Sequence, residues 1–420
     1  MSMDRVGKLI IRSTVEAYKS RTMNTSIDIS GAQVGRRACP GGINPLAHRV
    51  WKPVLVILIA VFASAYWSNG TNGAESQPSS DVSARANESV KRAVDFLQQA
   101  QADDGSFSAS SGPGVTAIVA TALLRSGRTE SDPLVARSLV YLTKHLHEDG
   151  GIYQEGSRYK NYETSLAIVC FNEANKSGKY TELLGKAEKF VKAQQWDEDE
   201  GHELSSMSYG GAGYGSHERP DLSNTSFLID ALHSVGRGED DPALQKALVF
   251  VSRCQNLESE YNTSPFAAKV NDGGFYYTIA AGGQSQAGET PDGGLRSYGS
   301  MTYAGLKSMI YAGLKRDDPR VKAAYDWIRK HYTVDENPGM GAQGLYYYYH
   351  TFAKALATIG DEHLVDAEGK SHDWRAELSQ ELVSTQQPDG SWVNANPRWL
   401  EGDPNLVTAY SLLALSYCRP

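Results

Sequence analysis

The sequence predicts an all-α fold: a single α/α toroid of six helix hairpins, inner and outer rings, behind an N-terminal hydrophobic segment. Three observations predict it. A Thr followed by an apolar helical pattern recurs six times; a second, half-charged helix precedes each copy; and an Asp-Gly turn often joins the two. Internal repetition at this spacing is the mark of an architecture built from one supersecondary unit.

The Thr-headed copies begin at Thr116, Thr164, Thr225, Thr302, Thr351 and Thr408. The first five stop at Gly127, Gly178, Gly236, Gly313 and Gly360, and the last runs to the end of the chain without its Gly. Thr suits an N-cap or first-turn position and Gly the left-handed position after a helix, so both ends are marked. These helices are apolar on several faces, as in AIVATALL and SLLALSY, which predicts burial all round. The preceding set, including AVDFLQQAQ, AEKFVKAQQ and AYDWIRKHY, carries charge on one face and suits an outer layer. Turns with Asp-Gly and an apolar or aromatic residue follow at Asp104-Gly105-Ser106-Phe107, Asp149-Gly150-Gly151-Ile152, Asp272-Gly273-Gly274-Phe275 and Asp389-Gly390-Ser391-Trp392. In the third repeat the acidic run Asp197 to Glu200 sits where this turn belongs and reads as a solvated turn. An open superhelix is the competing architecture, but its repeats are more regular in length.

Charge divides the chain. Residues 1–52 carry nine Lys/Arg against three Asp/Glu, a net of +6; the whole is −8, which leaves about −14 for the rest. So acidic a body argues against nucleic acid, whose binding rests on Lys and Arg. Pro53 to Trp67 is an uncharged apolar run after Arg49 and Lys52, followed by a polar stretch. That order predicts export, with the toroid on the extracytoplasmic side. Ala63-Ser64-Ala65 fits a cleavage site, while the long basic leader favours an anchor, so signal and anchor both stay open; Met23 is an alternative start. The domain reading is 1–52 basic region, 53–67 signal or membrane-anchor segment, 68–87 flexible linker and 88–420 toroid. The four cysteines, Cys39, Cys170, Cys254 and Cys418, are too far apart for a metal knuckle and read as free thiols or, after export, a disulfide.

The segments STQQPDGSW (Ser384 to Trp392) and QQAQADDGSF (Gln98 to Phe107), with their Thr-headed helices, resemble the repeats of the terpenoid cyclase and protein prenyltransferase β-subunit superfamily. The resemblance spans about residues 88–420 and implies a toroid with a central cavity walled by aromatic side chains. It also tests two chemistries. Triterpene cyclases of this superfamily carry an initiating acid in D-x-D-D-T at an inner-helix head, and none of the six Thr here follows paired Asp. The prenyltransferases hold zinc with Asp, Cys and His. LYYYYHT places His350 on the zinc-binding His, but Met301, Thr302 and Tyr303 stand where Asp and Cys belong, and one His does not make a zinc site. Neither a metal nor another cofactor is expected.

Glu163 and His350 each precede an inner-helix Thr, which predicts equivalent heights on the ring and an acid/base pair at the cavity mouth. The plainer alternative is that Glu163 favours a helix N-terminus and His350 bonds a loop. Tyr276, Tyr298, Tyr303, Tyr347 and Tyr349 are the expected wall residues for an apolar, isoprenoid-like ligand, since aromatic faces can hold such chains and stabilise developing cations. The Gly282 to Gly294 stretch lacks the Lys-Ser/Thr of a phosphate loop and reads as a lip over the mouth. The leading expectation is an exported or membrane-anchored toroid that binds an isoprenoid-like molecule. A carbohydrate-active toroid, with Asp230 or Asp292 beside Glu163, and a non-catalytic scaffold are the alternatives.

Overall fold

A computed structural model describes residues 78–215 and 219–419. Twelve helices build two rings. The inner ring is α2 (Pro113–Arg125), α4 (Lys160–Ala174), α6 (Leu222–Ser234), α9 (Gly299–Tyr311), α11 (Leu345–Ile359) and α13 (Pro404–Cys418). The outer ring is α1 (Pro78–Ala100), α3 (Pro133–Thr143), α5 (Thr181–Lys192), α7 (Pro242–Arg253), α10 (Pro319–Lys330) and α12 (Trp374–Thr385). A one-turn helix α8 (Ala267–Val270) and a two-stranded hairpin, β1 (Leu364–Val365) with β2 (Ser371–His372), lie in the connections. Each inner helix packs on the next, and α13 packs back on α2, so the ring closes. Outer α1 lies against α12 and α13 and completes the outer layer.

Helix α1 begins at Pro78, so residues 78–87, which the sequence assigns to a linker, are helical. The basic region, the apolar run and Cys39 lie outside the described residues. Among the described residues no helix is long and apolar enough to cross a membrane. Cys170, Cys254 and Cys418 are free thiols.

The repeating threonines sit one turn inside their helices and do not cap them. Thr116 Oγ1 accepts from the Phe107 amide at 2.9 Å, Thr164 from Ile152 at 3.0 Å, Thr225 from Ala212 at 3.0 Å, Thr302 from Phe275 at 3.0 Å and Thr408 from Trp392 at 3.1 Å. Each hydroxyl thus latches the residue that follows the turn and sinks it between the rings. The third turn is Gly210-Gly211-Ala212, not the acidic run: Gln195 pairs with Ala212 across a short bridge. Asp197 and Glu198 belong to an inserted loop and bind Lys246 at 2.8 and 2.6 Å. The fifth inner helix departs from the pattern. Thr351 bonds its own helix, and the hydroxyls of Tyr348 and Tyr349 make the latch instead, donating to the carbonyls of Thr333 and Val334 at 2.7 and 2.8 Å.

Caps that the sequence pattern leaves unmarked start several helices. Asp132, Asp241 and Asp318 each accept an amide two residues on, with Pro at the first helical position of α3, α7 and α10. This is the N-cap with Pro at N1 in its ordinary form.

A second clamp joins neighbouring repeats. Gln101, Gln195, Gln255 and Gln386 each donate both to the carbonyl of the turn glycine and to a carbonyl of the next outer helix, in its first turn for the first three and at mid-helix for Gln386, at 2.8–3.1 Å. Gln386 reaches Ser89 and so ties the last repeat to the first. The clamp needs the turn backbone against the next helix. At Gly390 (φ +91°) an added Cβ would lie 2.4 Å from the Arg92 carbonyl oxygen. Gly127 has a similar φ of +96° with nothing within 4 Å of that position. Gly127→Ala is therefore expected to cost about 1–2 kcal/mol of backbone strain. Gly390→Ala adds the collision and is expected to cost about 4 kcal/mol. Urea unfolding of the two variants side by side measures the difference.

Candidate functional site

The N-terminal halves of the inner helices and the loops above them enclose a cavity of about 680 Å³. That lies in the range of small-molecule sites. Its floor is a run of rings in contact: Tyr162 on Phe227 at 5.1 Å, Phe227 on Tyr347 at 6.1 Å, and Tyr347 on Tyr410 at 6.0 Å. Tyr214, Tyr277, Tyr298 and Met301 extend the wall. Ser223 meets the Tyr347 hydroxyl at 3.1 Å.

At the mouth, Trp399 and Leu400 are two consecutive left-handed residues, φ +56° and +65°. Held out of the favoured regions, Trp399 lies over Gly344, where a Cβ would come 3.2 Å from its ring. Arg398 stacks on Trp399 and donates to Gln343 and Gln286. Gln286 thereby brings the Gly282 to Gly294 stretch to the rim, as the sequence suggests for a lip.

Two buried carboxylates line the cavity. Glu163, in the first turn of α4, accepts the Gln154 amide at 3.1 Å. Burial raises its carboxyl above the usual range, against the bonds from Gln154 and Ser157 that lower it. Its oxygen fills the space beside Gly112, where a Cβ would lie 2.3 Å away, so only glycine at 112 admits this pose. Glu401 accepts the Tyr347 amide at 2.8 Å and the Asn394 side chain at 2.6 Å. Burial raises it too, but its oxygens are committed to the head of α11.

His350 is elsewhere. It lines a smaller chamber beneath the floor with Asp230, Lys354 and Arg125. The expectation of equal heights fails on register. Glu163 and Thr164 lie in the first turn or so of α4, whereas His350 and Thr351 lie in the second turn of α11. At 1.5 Å per residue that shift carries His350 below the ring floor. The expected acid/base pair is not assembled. Asp230 is bound by Lys307 and Lys354, and Asp292 sits in an exposed turn bonded to Thr290. Neither joins Glu163, which removes the carboxylate partners named for the carbohydrate reading.

Of the five expected wall tyrosines, Tyr298 and Tyr347 line the cavity. Tyr276 points away and donates to the Arg253 carbonyl at 2.6 Å. Tyr349 makes the latch to Val334, and Tyr303 packs on Tyr348 and Phe352 between the rings. Successive helical residues are rotated by about 100°, so a run of tyrosines cannot all face one cavity. Sequence reading missed Tyr162, Phe227 and Tyr410. Each lies close to a repeat Thr, and their spacing from it was the available signal.

The segment Asp221-Leu222-Ser223-Asn224-Thr225 carries the spacing of D-x-D-D-T with Ser and Asn at its third and fourth positions. Asp221 caps α6 through the Asn224 amide at 2.9 Å and Thr225 latches Ala212. Ser223 and Asn224 face the cavity. Among the described residues no group of three or more His, Cys, Asp or Glu is placed to hold a metal.

The model of the squalene-hopene cyclase C-terminal domain family matches residues 109–281. Among solved structures, the chain aligns with the apo type II terpene cyclase MstE from Scytonema at 15% identity and a TM-score of 0.50, over 79% of this chain and 97% of that one. A Tyr-to-Phe variant of MstE gives 15%, 0.50, 81% and 98%. A further variant, in complex with geranylgeranyl dihydroxybenzoate as its substrate, aligns at 16% with a TM-score of 0.48, over 81% and 98%. No curated protein matches the chain. Family model and fold agree on the terpenoid cyclase superfamily, the resemblance carried by the repeats.

Asp221 gives the site a measurable pH dependence. Burial raises its carboxyl to about 6 against the Asn224 bonds that lower it. The folded chain therefore holds this proton more tightly than the unfolded one, and the contribution to stability falls as pH rises from about 4 to about 6. Asp221→Asn keeps a capping side chain and removes the ionisation. Its stability relative to the parent is expected to rise by up to about 3 kcal/mol between pH 4 and pH 7, read from urea midpoints at the two pH values.

Proposed function

We propose that the cavity binds an elongated apolar molecule of the isoprenoid class. The observation that carries this reading is the continuous aromatic floor Tyr162–Phe227–Tyr347–Tyr410 beneath a space of about 680 Å³. Flat π faces hold branched hydrocarbon chains by dispersion and attract any positive charge that develops along them. MstE, which shares the fold, is a type II terpene cyclase, which supports the same ligand class here.

The chemistry is set by what faces the ligand. With Ser223 and Asn224 at the acid positions, proton donation to an alkene in the manner of D-x-D-D-T has no carboxyl there. Glu163 is the acid whose bonds go to a loop, at Gln154 and Ser157, and not to the amides of a helix head. Its raised carboxyl makes it the proton-handling group of any reaction in this cavity. His350 takes no part in that role, since the aromatic floor separates it from the ligand.

The reading extends to location: the apolar run Pro53 to Trp67 exports the chain and leaves the toroid outside the cytoplasm, by the basic-then-apolar order of the leader. A reporter fused after residue 420 and probed with protease on intact cells tests this; a fully protected reporter contradicts it.

Trp399 at the mouth supplies a binding signal. Titration with geranylgeraniol is expected to quench or shift tryptophan fluorescence in a saturable way. Tyr347→Ala is expected to weaken binding about tenfold or more, since removing a buried aromatic costs upward of about 1.4 kcal/mol. Tyr276→Phe, outside the cavity, leaves it unchanged. Glu163→Gln keeps binding and abolishes turnover where turnover exists. Absence of saturable binding by the parent chain would overturn the proposal.

A further inference from the structure

The chamber beneath the aromatic floor is lined by Arg125, Asp230, His350 and Lys354, with Thr121 and apolar side chains, and has a volume of about 30 Å³. That is room for a water-sized particle. Its charges do not balance. Asp230 accepts Lys307 Nζ at 2.5 Å and Lys354 Nζ at 2.7 Å, so one carboxylate serves two ammonium groups. Both lysines are buried, at 2% and 8% exposure. Arg125 is matched by Glu173 at 2.7 Å and also meets the Tyr417 hydroxyl. Three cations therefore face two carboxylates.

The remaining groups add no negative charge. Ser226 accepts the Lys307 ammonium at 2.8 Å, and the Tyr311 ring lies 5.8 and 5.9 Å from the two lysines. His233 stacks on Tyr311. His350 is 9% exposed and stacks on Tyr410, and its Nδ1 meets no hydrogen-bond partner. A buried imidazole nitrogen without a partner is an open hydrogen-bonding site beside a surplus of positive charge.

We propose that this chamber holds one small monovalent anion of the halide class, chloride under ordinary conditions, against Lys354, Arg125 and His350. An uncompensated buried cation is costly, and an anion in the chamber neutralises it. A lysine has three N–H donors, and a neutral imidazole has one to turn toward such an ion. Deprotonation of a lysine is the other way to balance the charge. Burial pushes Lys307 down to about 8, which still leaves it mostly protonated at neutral pH. A chamber of this size suits a single small ion. The site is independent of what the upper cavity binds, because Phe227 and Tyr410 border both spaces from opposite sides.

Crystals of the full chain soaked in sodium bromide and measured at the bromine edge test the proposal. An anomalous peak within hydrogen-bonding reach of Lys354 Nζ is expected. In solution, the unfolding midpoint of the full chain is expected to rise by a few degrees in chloride over gluconate at equal ionic strength, and Lys354→Met is expected to lose that rise. Should Lys354→Met not fold, His350→Phe, which fills the chamber, is expected to lose both the peak and the rise. A chamber whose density carries no anomalous signal holds water and overturns the proposal. Equal midpoints of the parent chain in the two salts overturn it as well.

Discussion

A ring of helices depends on its last member meeting its first, and here α13 packs on α2 while Gln386 clamps the outer layer. Its amide binds the turn carbonyl of Gly390 and the Ser89 carbonyl of α1, nearly three hundred residues away in sequence. The same glutamine clamp at Gln101, Gln195 and Gln255 sets the angle from one repeat to the next. Because each clamp uses main-chain acceptors of the neighbouring outer helix, the outer side chains are free to vary while the step around the ring stays fixed. The threonine latches do the same for the radial direction, fixing how deep each turn residue sinks between the rings.

This division leaves the axis of the ring to chemistry. Above the aromatic floor the inner helices present their N-terminal ends, whose free amides favour negative or proton-accepting groups. The two buried acids of the cavity, Glu163 and Glu401, are both at such heads. Below the floor the helices turn charged side chains inward, and Asp230 is drawn well below the usual carboxylate range, because the two lysines outweigh the burial that alone would raise it. His350 experiences the opposite: burial and then Lys354 hold its imidazole neutral. One chain of rings thus separates an acidic, tyrosine-walled space from a cationic one.

The architecture was legible because its determinants are local and repeated. A Thr before an apolar run, a Gly after it and an Asp-Gly turn recur often enough to reveal the unit, even though the Thr acts as a latch and not as a cap. The third turn escaped because Gly210-Gly211 lacks the preceding Asp and follows an insertion that carries its own acidic run. The site was less legible. Whether a tyrosine faces the axis depends on its angle about the helix and on the helix start. Tyr347 and Tyr349 differ by two residues and so point to different places. His350 was misplaced in height because α11 begins earlier relative to its Thr, an offset that flanking residues do not show.

The D-L-S-N-T segment shows why a partial motif informs about fold more than about activity. Its first Asp and its Thr have structural duties, capping α6 and holding the third turn, and any chain with this ring has reason to keep them. Its third position carries no such duty, and its fourth, Asn224, donates its side chain to the Asp221 carboxylate at 2.8 Å; both line the cavity. Selection on the ring alone preserves Asp221 and Thr225 and leaves the third position free to change. A match that rests on Asp221 and Thr225 therefore follows from helix geometry, whereas Ser223 reports on the chemistry. Glu163 stands apart from this argument, because its position depends on Gly112 and the Gln154 to Ser157 loop and on no part of the motif.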